Sequence, residues 1–184
     1  MNQNDYEEAR CLYKKYRAGQ FSMKKEGEYD RYAAFNVPSD VEEKWREEMK
    51  EEYIKKLETE VRRDLIEAYY GALCDLLPMF SQDIALRYYL LQFIDNRKSQ
   101  LDSFTLLLIA EKLLRGVEKH KWNATPDVRK RAKTVGMRVL EELLVNPITV
   151  ADEYRQLKYL SDDTLSDEAL LRRAKADIRH FRDV

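Results

Sequence analysis

The chain has 184 residues, only five glycines and four prolines, and 33 basic against 34 acidic groups, for a formal net charge of −1. Such a length fits one domain able to bury a sizeable core, and a chain rich in Glu, Lys, Arg, Leu and Ala favours helix over sheet. Near-neutrality argues against a strong long-range field for polyanions, and the longest apolar run, Phe104 to Ala110, is too short to cross a bilayer.

The opening MNQNDYEEAR is acidic and polar, unlike a signal peptide. Asn4 or Asp5 caps a first helix to about Ala18, with Tyr6, Ala9, Leu12, Tyr13 and Tyr16 on one face and Gly19 ending it. Residues 20–36 read as a loop with a short helix, held by Phe21, Met23, Tyr29, Tyr32 and Phe35. Ser39 and Glu42 then have capping-box spacing. From Val41 a long helix runs to Leu76, with a bend or break expected near Glu52, where the apolar pattern drifts. Its Glu47, Glu48, Lys50, Glu51 and Lys55 form a solvated face. Pro78 breaks the chain, Ser81 caps a helix over 82–96, and 97–100 form a polar turn.

Residues 101–145 should be the packing centre. Between Asp102 and His120 the apolar positions Leu106, Ile109, Ala110, Leu113, Leu114 and Val117, widened by Phe104, Leu107 and Leu108, leave a polar strip of Glu111, Lys112, Arg115, Glu118 and Lys119. An apolar arc this wide needs cover on more than one side. The next helix starts at Thr125-Pro126-Asp127, buries Val128, Ala132, Val135, Val139 and Leu143, and stops at Asn146-Pro147.

The run TPDVRKRAKTVGMRVLEEL resembles the second helix of a HEAT repeat, through Asp127, Val128-Arg129 and Ala132 after a proline. That resemblance implies a helical hairpin whose Asp and Arg support turns and neighbouring repeats, in a scaffold that binds other proteins. It covers residues 101–145 and has no second copy at a fixed period, which a solenoid requires. Beyond it, a short helix should run from Thr149 to about Leu160, and a last one, capped by Ser166, should bury Ala169, Leu170, Ala174, Ile178 and Phe181.

Few constellations could carry chemistry. Cys11 and Cys74 fit no metal or redox spacing and read as buried, reduced thiols. His120 suits the negative end of its helix. Asp177 and His180 share a face, which alone makes no metal site. Arg173 and His180 have the spacing of HEPN ribonucleases, all-helical enzymes that use an Arg and a His to cleave RNA. Ala174 departs from that family, which has a polar residue directly after the Arg. A basic cluster, Lys119, Lys121, Arg129, Lys130, Arg131 and Lys133, surrounds one turn with Trp122 among it. Lys119, Lys121, Trp122, Arg129, Lys130 and Lys133 are therefore the candidate contacts for a partner protein or for nucleic acid, where cations hold phosphates and an aromatic stacks a base; the favoured alternative is a solvated hairpin tip with Trp122 tucked into the core.

The expectation is an all-α bundle or short helical array of about six to seven helices, roughly 70–80% helical. It forms one domain over 1–184, with 1–37 as a loosely packed N-terminal extension. Its expected role is a cytoplasmic adaptor that binds another protein, with no catalytic residue, cofactor or metal and no membrane association. Nucleic-acid binding through the 119–133 hairpin tip comes second and a HEPN-like ribonuclease third.

Overall fold

A computed structural model describes residues 3–122 and 124–182. The described residues are 75% helical with no strand. They form ten α-helices and two short 3-10 segments rather than six or seven helices. The extra elements arise where the sequence suggested a loop or one unbroken helix. Contacts divide the chain into two compact units, residues 1–58 and 59–184, where the sequence suggested one domain with an extension.

The first unit holds α1 (Gln3–Lys15), α2 (Gln20–Lys25), α3 (Tyr29–Ala34) and nearly all of α4 (Ser39–Thr59). Trp45 is fully buried, with Tyr6 edge-on at 5.2 Å and its indole N–H donating to the Tyr6 hydroxyl. The Tyr13 ring lies 5.5 Å from that of Trp45, and Tyr13, Tyr32 and Met23 are buried in this unit. Gly19 does not end α1: its φ is −80°. Arg17 and Ala18 take the left-handed turn instead, at φ 50° and 59°. The N–H groups of Arg17 and Ala18 close onto the carbonyls of Lys14 and Tyr13, the Schellman pattern. Cys11 is exposed, against expectation, because its position on α1 falls outside the buried face of Ala9, Leu12 and Tyr13.

The second unit comprises α5 (Arg63–Leu76), α6 (Ile84–Arg97), α7 (Ser103–Glu118), α8 (Pro126–Leu143), α9 (Asp152–Arg155) and α10 (Asp167–Phe181). The expected long helix breaks at Glu60 to Arg62, not near Glu52. There the Glu60 carboxylate accepts from the Val61 and Arg62 N–H groups, and Arg97 donates to the Glu60 carbonyl. These bonds replace the helix ladder. Asp83, not Ser81, caps α6 by accepting from the Leu86 N–H.

Helix α7 packs against α5, α8 and α10. Leu107, Ile109, Ala110 and Leu113 have no exposed surface, as its wide apolar arc requires. Asp102 caps it, accepting from the N–H groups of Thr105 at 2.7 Å and Ala151 at 3.1 Å. Burial raises the Asp102 carboxyl above the usual range. Thr125 and Ser166 cap α8 and α10 as read from the sequence. The helix expected after Thr149 shrinks to the single turn of α9, whose Tyr154 is buried edge-on to Phe104 at 4.7 Å.

Candidate partner-binding groove at the hairpin tip

Helix α7 stops in a second Schellman turn. His120 adopts φ 58°, its N–H meets the Val117 carbonyl, and the Lys121 N–H meets that of Gly116. A backbone role at the helix end thus accounts for His120. The chain then dives inward. The Lys121 ammonium pairs with Asp75 of α5 at 3.1 Å. The Lys121 carbonyl accepts from Arg87, a buried guanidinium that also holds the carbonyls of Leu77, Phe80 and Asp83.

Trp122 follows and is 0% exposed. Its ring sits where a Cβ on Gly116 would go, 2.6 Å from the indole nitrogen. Trp122 is therefore corrected from a contact residue to a core residue. A base cannot stack on a ring with no free face.

Once across the tip, α8 starts at Pro126 with the Thr125 hydroxyl accepting from the Val128 N–H at 3.2 Å. A groove of about 530 Å³ opens here. Val117, Ala124, Thr125 and Pro126 line one part and Arg129, Lys130 and Lys133 the other. Lys130 is exposed, and Arg129 and Lys133 are half-buried. Neither Arg129 nor Lys130 has a side-chain partner among the described residues. Lys133 donates to the Arg182 carbonyl at 3.0 Å. Asp127 is engaged by the Tyr88 hydroxyl, and Arg131 lies over the Tyr88 ring. Of the six candidate residues, the structure brings Arg129, Lys130 and Lys133 together. Lys121 is tied to Asp75, and Lys119 is exposed at the α7 C-cap, outside the groove lining.

A second polar cluster, missed in the sequence, joins α7 to α10. Glu111 is only 4% exposed although it stands in the expected solvated strip. Arg173 grips both its oxygens, the Nη2 contact being 2.6 Å, and Arg115 lies 3.6 Å away. Burial, followed by the charge of Glu111, pushes the Asp177 carboxyl up to about 6. One Asp177 oxygen is buried without a hydrogen-bond partner. His180 lies 3.0 Å from Glu118. Arg173 and His180 are thus each held by a different carboxylate of α7, not joined on a common centre. The only sequence signal for this seam was the seven-residue spacing itself, which repeats in Glu111 and Glu118.

Among the described residues, no group of three His, Cys, Asp or Glu side chains is arranged to hold a metal. Among the same residues, no helix is long and apolar enough to cross a membrane. Burial lifts the Cys74 thiol to about 12, which leaves it unreactive. No family model, curated protein or solved structure matches this chain.

Proposed function

We propose that this protein is a protein-interaction module, an adaptor of the cytoplasm that binds another protein through the α7–α8 hairpin tip and catalyses nothing itself. The observation that carries the reading is the groove there, part apolar and part cationic, whose Arg129 and Lys130 make no ion pair among the described residues. Apolar surface with a polar, charged margin is how interfaces are built. The hairpin's resemblance to a HEAT repeat supports the same reading. Arg173 and Glu111 hold each other and His180 meets Glu118, which leaves this seam less suited to catalysis.

The test replaces Lys130 with a photo-crosslinking amino acid in the native host and identifies crosslinked products by mass spectrometry. A defined protein, captured from that position and not from the same amino acid placed at exposed Glu51, is the expected result. No captured protein would end the proposal.

A further inference from the structure

We infer that the groove's partner is an acidic peptide segment with one large apolar side chain, the side chain seating on Ala124 and Pro126 and its flanking carboxylates meeting Arg129, Lys130 and Lys133. This rests on the protein-binding reading above and specifies the partner's chemistry.

The charge pattern is the first argument. Arg129 and Lys133 are four residues apart on α8, and Lys130 and Lys133 three, so all three share one ridge. Like charges at those spacings repel. The nearest acid on the same helix, Asp127, accepts from Tyr88 and forms no ion pair with the ridge among the described residues. Among the described residues, two of the three cations have no side-chain partner, and the third has only a neutral carbonyl. An anionic occupant relieves the repulsion and completes all three.

The groove's shape is the second. Its volume lies within the roughly 300–1,000 Å³ that holds an organic group, and its aliphatic wall suits a side chain better than a bare anion. A nucleic-acid strand fits less well. The ridge spans only about 6 Å of helix, Trp122 is sealed in the core, and the chain's net charge of −1 gives a polyanion no steering field. Peptide carboxylates flanking an apolar anchor match both halves of the lining, as in other groove-bound segments.

The test titrates the full chain into a labelled peptide of about twelve residues, Asp, Glu and Ser around one central Leu. Parallel probes are the same peptide with Lys for Asp and Glu, the same peptide with Ser for Leu, an oligothymidylate of similar length, and inorganic phosphate. Anisotropy should show the acidic Leu peptide binding at least about tenfold tighter than either altered peptide. Lys130→Glu alone, at an exposed position, should weaken it, and Arg129→Glu with Lys130→Glu and Lys133→Glu should abolish it at unchanged helicity. Equal binding of the Lys peptide, or binding unmoved by Lys130→Glu, overturns the inference. If the crosslinking experiment still captures a protein, the adaptor reading survives and only the partner's chemistry falls. Oligothymidylate binding tighter than the peptide, and lost in the triple variant, would overturn both. Phosphate competing as well as the peptide would reduce the site to a simple anion site and would also sink the inference.

Discussion

Gly116 shows how one missing Cβ shapes the hairpin tip. Alanine in a helix interior is normally favoured over glycine by about 1 kcal/mol. Here the added carbon would lie 2.6 Å from the Trp122 nitrogen, and a flat ring packed on all sides cannot move aside as a flexible side chain can. Overpacking typically costs about 1–3 kcal/mol, so we expect Gly116→Ala to destabilise the protein on balance, and a raised denaturant midpoint would refute that. Leu113 tests the opposite fault. It has no exposed surface, and Leu113→Ala should cost about 2–5 kcal/mol, again read from the denaturant midpoint. Leu113 was legible in the sequence because its burial follows from the apolar arc of its own helix. For Trp122 the core was the favoured of two readings, but its place there was not legible, because the space that accepts the ring is made by Gly116, a residue with no side chain to notice.

At the scale of elements, the caps at Thr125 and Ser166 were legible, while the cap of α6 and the break of the long helix were not. Thr125-Pro126 and Ser166 act on N–H groups within three residues, so local chemistry decides them. The break at Glu60 to Arg62 depends in part on Arg97, far along the chain. The same distance hid the seam between α7 and α10, because Glu111 looks solvated until Arg173 reaches it from 62 residues away. That seam should respond to pH. The Asp177 carboxyl, ordinarily near 3.8, sits at about 6 in the fold. A raised carboxyl stabilises the fold fully below its unfolded value, and that contribution is lost as pH rises through its folded value. Stability from Asp177 therefore falls between about pH 4 and pH 6. A shift of this size would correspond to a few kcal/mol if fully buried, but Asp177 is partly exposed and screening leaves about 1 kcal/mol. Asp177→Asn, which cannot ionise, should match the parent near pH 4, exceed it by about 1 kcal/mol at pH 7, and lack the intervening decline. Parallel curves for the two proteins across that range would exclude Asp177 as the source.

For the whole molecule, composition fixed the helical class, since scarce glycine and proline and abundant Glu, Lys, Leu and Ala leave little else. It did not reveal the division at residues 58 and 59, because α4 and α5 carry one nearly continuous apolar rhythm across it. Net charge, unlike contacts, can be read without a fold, and it favours the proposed adaptor role over nucleic-acid binding. A nucleic-acid binder here would draw its affinity mainly from phosphate contacts, because the chain has no recognisable base-reading motif and its tip aromatic is buried. Such binding needs several clustered cations and weakens steeply with salt. This molecule carries 34 acids against 33 bases, and of its six candidate tip residues only Arg129, Lys130 and Lys133 line the groove. We therefore expect labelled single- and double-stranded probes to show no binding at about 150 mM salt, where charges more than about 8 Å apart are largely screened. Micromolar binding under those conditions, lost when Arg129, Lys130 and Lys133 become Glu, would transfer the tip to nucleic acid. Binding that survived those changes would move attention to α10, where Arg172 and Lys175 remain exposed beside the Arg173 that Glu111 already holds.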